Sequence, residues 1–414
     1  MEKHDRNLLL SLSKLPMSSA ITSVVSTSAQ RQSKPKRCVR TLSSPTRAFD
    51  TLVDRHARVS WIVIMNSILK SVIKTGLLLL VLGVQNPARG SDNPETPIGI
   101  LLAVGDIARC DVIRKGKLLK RRNDEEVARV VGETIVAAEK KQIPIRVMLL
   151  GDLAYNNGTK RDFEKCFDPA WGKYKKYFLP VPGNHDHPAS KDPPYFEYFK
   201  DNPLVSQNGK RAGYYSLRFP SATQGPWLLV GLNSYAGIGR GSPQIAWLES
   251  QLRSNTDPCV VAFAHPFRFS SGGHGHNSVI EKNNRHSNAP LVRGKSLTLA
   301  YRKLHGFGAS VLLSGHDHHY EQFARQDADG NKTEDGIRSF IVGTGGGHLY
   351  KHILKYKFKK LEPNSDAKHI LEKLHGVLQI DLFANSYRWK FIPTKGDPID
   401  PEPNKDRCNT RRLP

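Results

Sequence analysis

Short apolar runs that stop abruptly at a glycine or a histidine recur along this chain. Ile98 to Val104 (IGILLAV) ends at Gly105-Asp106, and Val147 to Leu150 ends at Gly151-Asp152, with Tyr155 three residues on. Phe178–Val181 leads into Pro182-Gly183-Asn184-His185-Asp186. Val260–Ala264 ends at His265, and Val311–Ser314 at Gly315-His316-Asp317-His318. Unbroken apolar runs bounded by glycine predict strands buried on both faces, and an α/β sheet presents ligands at the carboxyl ends of such strands. Between the first two runs the period changes from strand to helix. Asn123 caps a helix to about Lys141, Asp124, Glu125 and Glu126 fill its first turn, and Val127, Val130, Val131, Ile135 and Ala138 share one face. Strand, helix and strand make a right-handed βαβ unit, which brings Asp106 and Asp152 to the same sheet edge.

Asp162 to Tyr177 reads as an aromatic-rich helical stretch whose Trp171 and Tyr174 belong to the core. Tyr214–Phe219 and Trp227–Leu232 read as strands of a second sheet, and Ser242-Pro243 starts a helix over Gln244–Arg253. Ser270 to His276 (SSGGHGH) reads as a flexible loop whose His274 and His276 could reach a substrate. Ser296–His305 reads as a helix stopped by Gly306, followed by Val311–Ser314 as the last strand of the first set. Phe340–Val342, Gly376–Leu382 and Tyr387–Ile392 complete the sheets. Gly345–Gly347 lacks the Lys-Ser/Thr that follows a phosphate loop, so no nucleotide site is expected there.

The N-terminus breaks this pattern. Residues 1–64 are rich in Ser, Thr, Arg and Lys without an apolar period, and are expected to be disordered or not translated. From Met65, Lys70 and Lys74 precede the apolar Leu77–Val84 and a small polar stretch to Ser91. That layout, over residues 65–90, predicts a cleavable export signal, with a short membrane anchor as the alternative. The expected organisation is then a catalytic domain over residues 95–395, a tail over 396–414, and a periplasmic or secreted location. The net charge of +24 remains positive without the leader, with basic runs at Arg114–Arg122 and Lys351–Lys360. No helix-turn-helix, finger or aromatic-interleaved nucleic-acid motif accompanies it, so a solvated basic surface is expected and no specific nucleic-acid partner. A membrane enters only if the signal segment is uncleaved. Cys110, Cys166, Cys259 and Cys408 allow three pairings in an exported chain, and no CxxC spacing suggests a zinc-thiolate site.

The strand-end residues together form a mixed oxygen and imidazole set: Asp106, Asp152, Asn184 and Tyr155 with His265, His316 and His318. Such donors suit zinc, iron or manganese rather than calcium. A carboxylate at Asp152 has two oxygens, enough to bridge two cations. Paired cations bring a bridging water's pKa from about 15.7 toward neutrality and neutralise phosphoryl oxygens. His185 is a group able to carry a proton near neutral pH.

The ordered blocks GD, GDxxY, GNHD, a strand-end His and GHDH resemble the calcineurin-like metallophosphoesterases from about Ile98 to Pro393. The tyrosine of GDLAY is similar to the purple acid phosphatase branch. GDIARC, CFDPAWGKY, GNHDH, FSSGGHG and GHDHHYE resemble its small bacterial acid or alkaline phosphatase-like members. The resemblance implies a four-layer α/β/β/α sandwich of two mixed sheets. It implies one metal, ferric in purple members, on Asp106, Asp152, Tyr155 and His318, and a second (zinc, manganese or iron) on Asp152, Asn184, His265 and His316. His185 would stabilise the transition state or protonate the leaving oxygen, oriented by a neighbouring carboxylate, and His274 would contact substrate. Gln322 stands where purple members usually carry Arg. The expected activity is hydrolysis of a small phosphate monoester by a metal-bridging hydroxide. A phosphodiesterase or nucleotidase on the same site is the sister reading, and a basic non-catalytic binding protein the reading from another class.

Overall fold

The computed structural model describes residues 95–110, 112–114, 117–119, 123–186, 192–221, 223, 225–256, 259–275, 297–350, 361–366, 371–399 and 404–409. All belong to the compact unit Asp92–Pro414. Residues 1–64, residues 65–90 expected as an export signal, His276, most of Arg114–Arg122 and all of Lys351–Lys360 lie outside the described residues. Among the described residues no helix is long and apolar enough to cross a membrane.

In chain order the strands are β1 (Gly99–Val104), β2 (Ala108–Arg109), β3 (Val112–Arg114), β4 (Lys117–Leu119), β5 (Ile145–Leu149), β6 (Ala154–Tyr155), β7 (Phe178–Pro180) and β8 (Tyr215–Phe219). They continue as β9 (Trp227–Gly231), β10 (Cys259–Ala264), β11 (Val311–Ser314), β12 (Tyr320–Gln322), β13 (Arg338–Val342), β14 (Gly376–Leu382), β15 (Ser386–Pro393) and β16 (Lys405–Arg407). One sheet runs β16-β15-β14-β1-β5-β7 and the other β12-β13-β11-β10-β9-β8. In the first, β1, β5 and β7 are parallel, and β14 joins β1 antiparallel. In the second, β9, β10, β11 and β13 are parallel, edged by antiparallel β8 and β12.

Alternation along each strand sorts its side chains into layers. Leu101, Ala103 and Met148 meet Leu229, Val261, Phe263 and Leu313 between the sheets. Leu102, Val104, Val147 and Leu149 turn outward onto the helix Asn123–Lys140, through its Val127, Val131 and Ile135. Val230, Val260, Ala262 and Leu312 turn outward onto the helices Pro243–Ser254 and Thr298–Gly306. The result is a four-layer α/β/β/α sandwich. Each fully buried aliphatic side chain contributes about 1.5–3 kcal/mol, so an acidic residue at Val131 would break the first helical layer.

Four readings differ. Val311–Ser314 lies in the second sheet, in register with β10 (Val261↔Val311), because Val311 and Leu313 complete the inter-sheet core. Residues 404–409 are no free tail: β16 extends the first sheet, Cys408 is bonded to Cys259, and Asn409 is buried. The other disulfide is Cys110–Cys166, which selects one of the three pairings. Gly306 is the last residue of its helix, and the left-handed turn falls at Gly308 (φ 79). The start of the SSGG loop is anchored rather than flexible. Ser270 and Ser271 are buried, the Ser270 hydroxyl donates to Asp317, and the Ser271 N–H donates to Glu321 at 2.9 Å.

Candidate metal centre

Parallel strands of both sheets deliver their carboxyl ends to one place. Asp106 follows β1, Asp152 follows β5, Asn184 follows β7, His265 follows β10, and His316 and His318 follow β11. Three of these residues hold left-handed backbone: Asp106 (φ 61), Asp152 (φ 53) and His316 (φ 72). Such conformations cost about 1–3 kcal/mol each and persist where surrounding structure holds them. Here hydrogen bonds do so across the two sheets. The His316 N–H donates to Asp106 Oδ2 (2.8 Å), and His265 Nδ1 donates to the Leu150 carbonyl (2.8 Å). A Cβ on Gly183 would overlap Asp152 Oδ1, so only glycine lets the GNHD turn approach this carboxylate.

Two donor sets share Asp152. Around the Tyr155 hydroxyl lie Asp106 Oδ1 (2.9 Å), His318 Nε2 (2.9 Å) and Asp152 Oδ2 (3.1 Å). Around His265 Nε2 lie Asn184 Oδ1 (3.0 Å), His316 Nδ1 (3.1 Å) and the same Asp152 Oδ2 (3.4 Å). The donor atoms of Asp152, His265 and His316 lie within 4.8 Å of one another. The remaining Asp152 oxygen, Oδ1, accepts the His185 backbone N–H at 2.8 Å.

Lone pairs outnumber protons in both sets. Tyr155 brings one hydroxyl proton, and His318, which donates its Nδ1–H to the His348 carbonyl (2.6 Å), turns Nε2 inward. Burial opposes a proton there, but the Asp106 carboxylate 3.2 Å away outweighs it and raises the His318 pKa. These protons face the lone pairs of two carboxylates and a phenol. His265 likewise spends Nδ1–H on Leu150. Burial would lower the His265 pKa, but the Asp152 and Asp106 carboxylates outweigh it and hold it up at about 9. Burial would raise Asp152, yet His265 and His185 pull it well below the usual carboxylate range. Burial and the Asp106 and Asp152 charges push the Tyr155 phenol well above its ordinary value. Burial, with His265 and His274 nearby, keeps His316 neutral. In both sets a cation would satisfy facing lone pairs that the protons present cannot, so the residues fit a pair of metal ions.

The other expected contacts are partly different. The His185 ring is held through Nδ1 by the Asn156 carbonyl, not by a carboxylate; the nearest, Asp152 Oδ2, is 3.9 Å from Nε2. Asp186 instead accepts N–H groups of Gly183, Leu153 and Ala154, clamping the two loops together. Burial and the Asp152 charge push its pKa up to about 7. The His274 ring packs on His316 with centroids 4.6 Å apart. Gln322 is buried and accepts the Trp389 indole N–H at 2.9 Å. Cys110, Asp162 and Cys166 also cluster, but the two cysteines form a disulfide and have no thiolate to offer. Sequence reasoning missed Tyr350, stacked on His318 with centroids 4.8 Å apart. It also missed Gly345 and Gly347, whose N–H groups donate to the carbonyls of Gly105 and Asp106. Only the glycine run hinted at the second.

Strand-tip carboxylates and imidazoles on a four-layer sandwich define a candidate two-metal site with Asp152 shared between its halves. The model for the calcineurin-like phosphoesterases matches residues 101–320. A probable purple acid phosphatase 20 of Arabidopsis thaliana is 26% identical over 265 residues, 59% of this chain and 54% of that protein. Among solved structures, purple acid phosphatase PPD1 from yellow lupin (Lupinus luteus) seeds superposes with a TM-score of 0.51 at 14% identity. That match covers 74% of this chain and 54% of the lupin chain. GAP50, the anchor in the inner membrane complex of Plasmodium, gives 0.47 at 13% identity, covering 76% and 89%. This chain belongs to the calcineurin-like phosphoesterase family and is similar to purple acid phosphatases in sequence and in fold. It spans about half the length, 54%, of the curated relative it matches.

Proposed function

We propose that the protein is an exported phosphatase that hydrolyses small phosphate monoesters at a two-metal centre. The observation that carries this reading is Asp152 Oδ2, 3.1 Å from the Tyr155 hydroxyl and 3.4 Å from His265 Nε2, between two otherwise separate donor sets. Asp106, Tyr155 and His318 would hold one ion with Asp152; Asn184, His265 and His316 would hold the other. Iron is the reading for the tyrosine-bearing side, with zinc, manganese or iron opposite. When bound, the pair supplies positive charge for phosphoryl oxygens and acidifies a water to serve as nucleophile.

The chain's own groups do the rest. Asp152 Oδ1, fixed by the His185 N–H, keeps Oδ2 turned toward both sets. The Asn156 carbonyl orients the half-exposed His185 ring and leaves Nε2, 3.9 Å from Asp152 Oδ2, to carry the proton that a leaving oxygen takes up. His274, packed on His316, supplies a further polar contact to substrate. Two disulfides support export through the segment beginning at Met65, since such bonds persist in oxidising compartments. The partner is then a small phosphorylated molecule rather than a nucleic acid.

Turnover of p-nitrophenyl phosphate against bis-p-nitrophenyl phosphate, with and without chelator, tests this reading. Monoester turnover abolished by chelator and restored by metal is the expected result. Faster diester turnover would move the assignment to a phosphodiesterase, and chelator-insensitive or absent turnover would overturn it.

A further inference from the structure

We propose that Tyr350 is a positioning residue for the substrate's phosphoryl group, fixing the His274 imidazole beside the two histidines of the GHDH block. The inference rests on the phosphatase reading above and adds a residue to its site. The Tyr350 hydroxyl and His274 Nε2 form a 2.7 Å hydrogen bond. The Tyr350 ring lies parallel to His318, with centroids 4.8 Å apart and 3° between planes. Its backbone N–H donates to the His318 carbonyl at 3.0 Å. His274 in turn packs on His316, and its own N–H donates to the buried Asp317 Oδ1 at 2.9 Å. Tyr350 and His274 thus form a bonded pair resting on one histidine from each donor set.

The loop carrying His274 is built to admit this partner. A Cβ on Gly273 would sit 3.2 Å from the Tyr350 ring, and on Gly272 it would collide with Asp317. Glycines there bring the His274 backbone onto Asp317 and the loop onto Tyr350. A histidine on a glycine-flanked loop otherwise samples several rotamers, and ordering it on substrate binding costs free energy. Tyr350 meets that cost in advance. With Nε2 engaged by the hydroxyl, Nδ1 is the ring nitrogen left to meet a phosphoryl oxygen.

Tyr350→Phe removes the hydroxyl and keeps the ring against His318, so it separates positioning from support of the metal ligand. The expected result is unchanged metal content and thermal midpoint, with kcat within about twofold of wild type. KM for p-nitrophenyl phosphate and the calorimetric Kd for inorganic phosphate should both rise about fivefold, the worth of one neutral hydrogen bond. His274→Ala should raise both at least as far, and Tyr350→Phe/His274→Ala no further than His274→Ala alone. Unchanged phosphate affinity, additive losses in the double variant, or metal lost from Tyr350→Phe would each overturn the proposal. The nitrogen-15 resonance of His274 Nε2, read in the metal-free chain, should shift in Tyr350→Phe, and an unchanged resonance overturns the pairing. A metal-loaded wild type that neither binds phosphate nor turns over ester overturns the phosphatase reading instead, and the His274 resonance still decides for or against Tyr350.

Discussion

Asp152 is nearly inaccessible, carries a left-handed backbone and points one oxygen at two imidazole-bearing clusters. Burying an acceptor among acceptors is unfavourable unless positive charge meets it. Asp152→Asn should therefore release both metal ions and reduce ester hydrolysis on the order of a thousandfold, read by metal analysis and turnover of the same preparation. A second buried carboxylate makes a prediction about stability. Asp124 lies at the start of the helix Asn123–Lys140 against Gly346, where burial, reinforced by Glu125, raises its pKa from 3.8 to about 7. An acid whose folded pKa is raised favours the fold most when protonated, so its contribution is present below about pH 4 and lost as pH rises through 7. Asp124→Asn should leave stability unchanged at pH 4 and increase it by about 2–4 kcal/mol above pH 7, measured by denaturant unfolding at the two pH values. At this scale most of the converging side chains were legible because they close an apolar run in a Gly-Asp, Gly-Asn-His or Gly-His-Asp-His block, while His265 closes one without a glycine and Tyr155 follows three residues after its block. Tyr350 was not, because its role depends on a stack and a hydrogen bond to residues 32 and 76 positions away in the chain.

Strands and helices brought these donors together, and the sequence carried that layer unevenly. The βαβ unit around the helix Asn123–Lys140 was readable because acidic first turn and apolar face agree with one another, although Asn123 is the first residue of the helix rather than its cap. Membership of the second sheet was not, since β11 is as uniformly buried as β1 and only its register with β10 distinguishes it. The SSGG segment looked mobile because its anchors, Asp317 and Glu321, lie more than forty residues away. The disulfides divide along the same lines. Cys259–Cys408 ties the segment after β16 to β10, away from the metal donors, and spans 149 residues. Its replacement by two serines should cost about 2–4 kcal/mol while leaving kcat unchanged. Cys110–Cys166 adjoins β2, whose Arg109 pairs with Tyr155. Replacing it should lower both the thermal midpoint and turnover. Melting curves and kcat for the two double variants check the contrast.

At the scale of the two sheets, parallel strands of both end side by side, a geometry that gathers widely separated blocks into one cluster of oxygen and imidazole donors. The overall positive charge, legible from composition, suits a phosphorylated substrate through general attraction of anions. Raising salt should then increase KM for an anionic ester more than it alters kcat, which steady-state kinetics at two ionic strengths would show. Metal analysis combined with anomalous diffraction from metal-loaded crystals tests the central claim most directly. Two ions about 3.5–4 Å apart with an Asp152 oxygen between them is the result expected; a single ion, or ions held away from Asp152, would contradict it.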